Sequence, residues 1–160
     1  MRTKLLLALI IPLAALGLAA PASAAPSGGT KPLKCVASDP QDVTVVSSTN
    51  TVTITDDPVT FGNHFGCYTN LKVMAGDVIT FDYIGDCGGG VPRLYVRFAG
   101  NTAGENTFDT VPCTEPATQT VTYTLQSSGK IVSFAFINDR GDGGTVTYSN
   151  LTIAGNVIDF

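Results

Sequence analysis

Residues 71–98 read LKVMAGDVITFDYIGDCGGGVPRLYVRF, and this run decides the fold class. Across residues 77–84, Ile79, Phe81 and Tyr83 fall on one side and Thr80 and Asp82 on the other, the period of two expected of a half-buried strand. Residues 92–98 repeat the pattern, with Leu94, Val96 and Phe98 facing in and Arg93, Tyr95 and Arg97 facing out. An abrupt glycine-rich corner joins the two. Read as a pair, these strands share one apolar face, and a lone ribbon is marginal in water, so a second sheet must cover it.

Further strands extend outward from this pair. Residues 42–48 and 50–55 are rich in Val and Thr, and Asp56-Asp57-Pro58 stops them. Residues 59–61 add a short edge strand before Gly62, Asn63 and Gly66 break the chain up. On the C-terminal side, residues 99–105 form a loop. Residues 120–125 turn Val121, Tyr123 and Leu125 inward, and Ser127-Ser128-Gly129 leads back into 130–137. That strand is apolar on both faces, the mark of a central strand covered on each side. A hairpin turn over 138–144 follows. In 145–153 the inward parity changes between Tyr148 and Leu151, which predicts a bulge near Ser149-Asn150. Gly155-Asn156 signals a two-residue hairpin into a closing strand over 157–160.

Nine or ten short strands, with no helical period after the first residues, predict an all-β, antiparallel two-sheet β-sandwich. A strand count above seven and the lack of tryptophan favour a jelly-roll-like sandwich over an immunoglobulin-like one.

At the N-terminus, Arg2 and Lys4 precede an apolar run over 5–20 and Ala22-Ser23-Ala24, the pattern of a secretory signal peptide over residues 1–24. Residues 25–34, APSGGTKPLK, read as a flexible leader, leaving 35–160 as the sandwich domain. Removing the signal takes away two basic residues and moves the formal charge from −4 to about −6. With no Lys/Arg cluster in the sequence, nucleic acid and anionic membrane surfaces are not expected partners, and with no long apolar run after the signal, membrane insertion is not expected. A secreted, extracellular monomer is the expectation. In that setting Cys35, Cys67, Cys87 and Cys113 are read as two disulfides. Cys87 and Cys113 are expected at the same end of the sheet, so they are paired, which leaves Cys35 with Cys67. Zinc is disfavoured by the lack of C-x-x-C and by a single histidine, His64.

The runs LKVMAGDVITFDYI, DCGGGVPRLYVRF and GGTVTYSNLTIAGNVIDF resemble secreted bacterial jelly-roll domains of the carbohydrate-binding-module and galactose-binding-like type. The likeness covers roughly residues 70–160. It implies a binding module for extracellular polysaccharide or a cell-surface component. Such modules often hold sugars on tryptophan, which this chain lacks, leaving tyrosine as the polar aromatic platform. The resemblance also implies a structural calcium where first and last strands meet, for which Asp42 and Asp159 are the candidate ligands. No other cofactor is expected.

Catalysis finds little support. A nucleophilic triad would rest on His64, in the glycine-flanked GNHFG. A glycosidase needs two carboxylates about 5–10 Å apart, and no spacing links Glu105, Glu115 and Asp82. The leading candidate surface is the outward face of the central pair, where Thr80, Asp82, Arg93, Tyr95 and Arg97 would offer a stacking ring between fork donors. The alternative there is an Asp82–arginine pair on a solvated face. The other roles considered are a structural or protein-binding envelope domain and a small secreted hydrolase.

Overall fold

The computed structural model describes residues 33–56, 62–85, 88, 90–100, 103–107 and 118–160, and the structural statements below concern these residues. The expected signal peptide, most of the leader, the edge strand at 59–61, and Cys87, Cys113 and Glu115 lie outside them.

Eleven strands are described: β1 (Lys34–Ala37), β2 (Val43–Val46), β3 (Thr51–Thr55), β4 (Asn63–Val73), β5 (Val78–Ile84), β6 (Arg93–Phe98), β7 (Glu105–Asn106), β8 (Thr118–Thr124), β9 (Gly129–Asn138), β10 (Thr145–Ile153) and β11 (Asn156–Val157). They form two antiparallel sheets, a five-stranded one in the order β1-β4-β9-β6-β7 and a six-stranded one built on β2-β3-β10-β5-β8, with β11 paired to β10. From β3 to β10 every connection except β6 to β7 carries the chain from one sheet to the other. That alternation interleaves the strands as a jelly roll, the expected fold class.

The alternation has a consequence for the opening pair. Ile79, Phe81 and Tyr83 are buried, as are Leu94, Val96 and Phe98, so both inward patterns are correct. Yet β5 lies in the six-stranded sheet and β6 in the five-stranded one. The two apolar faces meet across the core instead of sharing one sheet. The same holds at residues 139–144, which join β9 to β10 across the sandwich and are not a hairpin within one sheet. Period two fixes which residues face inward, but it is silent on which neighbour a strand pairs with.

The core is an aromatic stack between the sheets. Phe136 of β9 lies flat on Tyr148 of β10, with centroids 4.4 Å apart, and Phe81 of β5 meets both rings edge-on. The buried Tyr148 hydroxyl donates to the Ile137 carbonyl at 2.7 Å and accepts the Arg93 N–H at 3.2 Å, tying the two sheets together. Burial holds its phenol well above the ordinary tyrosine range.

The bulge expected in β10 is present. Its register against β5 shifts between Ser149 and Thr152, Asn150 takes a φ of 54°, and Val146, Tyr148, Leu151 and Ile153 all point inward. The final hairpin is displaced by one residue from the expected position. Its loop is Ala154-Gly155, both at positive φ (51° and 75°), and Asn156 already pairs with Ile153. Two positive φ angles are what a type I′ turn needs.

The chief difference from the sequence expectation is β4. Gly62, Asn63 and Gly66 do not interrupt the chain; Asn63–Val73 is a strand of eleven residues between β1 and β9. Asn63, Phe65, Cys67 and Val73 are buried along it, so the alternation was present beneath the glycine and the polar residues. Opposite it, Cys35 of β1 stands in register with Cys67 and is bonded to it, as expected.

Candidate functional site

The outer face of the five-stranded sheet follows from the registers. Cys67 points into the core, so Tyr68 points out, and it stands opposite Lys34 on β1 and Ser133 on β9. Ser133 in turn stands opposite Arg97 on β6. Lys34, Tyr68, Ser133 and Arg97 thus form one line across four strands, about 14 Å from end to end at the usual strand spacing. The adjacent line holds Val36, Gly66, Ala135 and Tyr95. Beyond it stand His64, Ile137 and Arg93.

The middle of this face is lined by the smallest side chains. Gly66, Ser133 and Ala135 form the floor of a groove of about 260 Å³, and Val36, His64, Tyr68 and Arg97 rise around it. Tyr68 is 60 % exposed and Val36 53 %, so the walls project into solvent. Gly66 is not demanded by its backbone, since an added Cβ would meet only ordinary contacts at 3.5 Å and beyond. What glycine provides here is depth.

This arrangement explains β9, whose two apolar faces pointed to cover on both sides. Ser133, Ala135 and Ile137 are only half-buried, and the outer side of β9 is the groove floor. Small outward residues on an otherwise apolar central strand were the signal in the sequence for a trough.

The face expected from the sequence does not exist as one surface. Thr80 and Asp82 lie on the outer side of the six-stranded sheet, and Arg93, Tyr95 and Arg97 on the outer side of the other. Asp82 accepts hydrogen bonds from Thr120 Oγ1 and Asn150 Nδ2, both at 2.7 Å, and faces no arginine. Arg93 pairs with Asp139, just past the end of β9. Burial pushes the Asp139 carboxyl above its ordinary value, and the Arg93 charge counteracts only part of that. Tyr95 is half-buried rather than a free platform: its hydroxyl accepts the Gly104 N–H at 3.0 Å. A Cβ at Gly104 would fall 2.5 Å from the Tyr95 ring, so the loop closes directly over it. Of the five residues, Arg97 alone is an exposed wall of the groove.

The two candidate calcium ligands are likewise not brought together. Asp42 lies beside Thr55, whose N–H its carbonyl accepts at 2.8 Å, and its carboxylate accepts from Asn63 Nδ2 at 3.1 Å. Asp159 lies between Ile158 and Phe160, both held by the Asn50 side chain. Asn50 precedes β3 and Thr55 ends it, about 16 Å apart along the strand. The carboxylates considered for hydrolysis are separated too. Glu105 turns inward at the sheet edge, where its Oε2 accepts the Tyr123 hydroxyl and the Gln126 N–H, both at 2.9 Å. Asp82 is on the other sheet.

No protein-family model matches the chain, and no curated protein matches it. Solved structures similar in fold include two carbohydrate-binding modules. TmCBM61, described in complex with beta-1,4-galactotriose, has a TM-score of 0.41 at 14 % identity, covering 76 % of this chain and 87 % of that one. A CBM4 structure has a TM-score of 0.38 at 17 % identity, covering 74 % and 76 %. The secreted serine protease VesC from Vibrio cholerae has a TM-score of 0.39 at 13 % identity over 71 % of this chain, but only 22 % of the protease. These are likenesses of fold, and the functional reading rests on the groove.

Proposed function

We propose that this protein is a secreted, non-catalytic module that binds a polysaccharide chain along the groove of the five-stranded sheet. One observation carries the reading: an exposed tyrosine stands beside a floor of Gly66, Ser133 and Ala135, with a guanidinium on the far side. A tyrosine ring offers an apolar plate to a sugar face, while Arg97 and Ser133 offer donors to its hydroxyls. A floor without bulky side chains lets an extended ligand settle against the backbone. The Cys35–Cys67 disulfide supports an oxidising, extracytoplasmic setting.

The test is retention of the purified protein on a panel of immobilised polysaccharides, with Tyr68→Ala beside it. Loss of the plate is expected to weaken binding about tenfold, the upper range for one stacked ring. The unfolding midpoint should stay put, because Tyr68 lies outside the core. Unchanged retention of Tyr68→Ala would remove the groove from the account, and turnover of a retained polymer would make the protein a hydrolase.

A further inference from the structure

The chain is acidic overall, with thirteen Asp and Glu against nine Lys and Arg. Five of its six described basic residues are nevertheless gathered on one surface. Lys34, Lys72, Arg93, Arg97 and Lys130 all project from the outer face of the five-stranded sheet, and Arg140 is the one other described basic residue. Among the described residues, no strand of that sheet presents a carboxylate outward. Glu105 of β7 stands opposite the buried Val96 and is turned inward. Asp139 is taken by Arg93. Asp77, in the turn after β4, is the one described carboxylate near Lys72 and Lys130; it accepts the Met74 N–H at 2.8 Å and forms an ion pair with neither lysine.

Two placements on this face form no ion pair among the described residues. Lys72 and Lys130 stand directly opposite one another across β4 and β9, both exposed, an arrangement of like charges that weakens a strand pair. Lys34 and Arg97 close the two ends of the line through Tyr68 and Ser133, and neither makes an ion pair among the described residues. Cations held apart at about 14 Å, with an aromatic plate between them, match a ligand whose negative charges recur along its length.

We infer that the polymer held on this face is a polyanionic polysaccharide, one whose sugar residues carry carboxylate or sulfate groups. The inference rests on the groove being the binding site and adds the chemical class of its ligand. Tyr68 meets a sugar face, Arg97 and Lys34 take anionic groups on either side, and Lys72 with Lys130 takes a further group about four residues along β4. Arg97 supplies the fork that suits a carboxylate or sulfate, and the lysines act as point charges.

The experiment measures the dissociation constants of the whole protein for polygalacturonate, its fully methyl-esterified form, dextran sulfate, dextran and single-stranded DNA, in about 0.05 M and about 0.3 M salt. The expected result is binding to polygalacturonate or dextran sulfate, with the carboxylate and sulfate sources told apart by which one is preferred. The neutral counterpart of the preferred polymer should bind at least about tenfold more weakly, and higher salt should erode binding. Arg97→Gln and the double change Lys72→Gln with Lys130→Gln should each weaken it about tenfold, the loss expected of one charge-assisted hydrogen bond. The double change should also hold or raise the unfolding midpoint, since it relieves a like-charge pair. Equal binding of esterified and free polygalacturonate, sensitive to Tyr68→Ala but not to Arg97→Gln, would overturn the anionic ligand and leave the binding-module reading standing. Binding of single-stranded DNA as tight as that of the polyanionic glycans would overturn the proposal as well. If no polymer responds to Tyr68→Ala or Arg97→Gln, both readings fall together.

Discussion

Tyr68 and Tyr95 are both outward residues of the same sheet, separated by β9, yet they play different parts. Tyr68 has solvent over its ring, whereas the loop at Gly104 sits on Tyr95 and takes its hydroxyl. Replacing Tyr95 by alanine would therefore disturb packing, and Tyr68 is the position at which binding can be probed without that complication. Gly66 provides the sharpest separation of stability from binding. Glycine inside a strand is unfavourable by roughly 0.5–1 kcal/mol, and here neither its φ nor a close approach demands it. Gly66→Val is expected to keep or gain up to about 1 kcal/mol in urea unfolding while filling the groove floor and abolishing polysaccharide retention. A variant that unfolds early would show that the backbone at Gly66 has a structural task after all.

At the scale of elements, the segment between β9 and β10 holds the far end of the sandwich together. Asp56, at the end of β3, accepts the N–H groups of Gly141 and Asp142. Asn138 donates to the carbonyls of Ile54 and Gly144, at 3.0 and 2.9 Å. Within the segment, Arg140 donates to the Asp142 carboxylate, and together with the Gly144 N–H this lowers the Asp142 carboxyl from its usual value of 3.8 to about 2. A carboxyl depressed in the folded state contributes stability that is present above its unfolded value and is lost as pH falls through the folded one. Between about pH 4 and pH 2 the wild type should therefore lose stability that Asp142→Asn lacks throughout. Thermal unfolding across that window is expected to give the variant the shallower slope, and parallel slopes would mean that the loop carboxylate is not held as described.

For the whole molecule, the Cys35–Cys67 bond closes a separation of 32 residues that takes in both sheets, since β2 and β3 lie between its ends. Restricting the unfolded chain over such a loop is worth about 3.5 kcal/mol in the chain-entropy account. The paired change Cys35→Ala and Cys67→Ala should lower stability by about that amount in denaturant titration. It should also loosen β1, an edge strand of four residues that supplies Lys34 and Val36 to the proposed binding face. A loss of stability well below 1 kcal/mol would place the contribution of the bond elsewhere than in the unfolded state.

The sequence by itself determined the inward residues of β5, β6, β8 and β10 and the bulge in β10, because these depend on side-chain period and on local backbone preference. It was enough for an all-β sandwich, and for Val121, Tyr123, Leu94, Phe81 and their partners as core. It also carried the pairing of Cys35 with Cys67, reached by exclusion. The arrangement of strands was decided only in three dimensions. Period two cannot say whether β5 pairs with β6 or faces it across the core, and that choice splits Asp82 from Arg97 and parts Asp42 from Asp159. The face proposed to bind polysaccharide was hidden for the same reason. Lys34, Tyr68, Ser133 and Arg97 come from four strands and are widely spaced in sequence, so their alignment is a product of register, which backbone hydrogen bonding between distant segments sets.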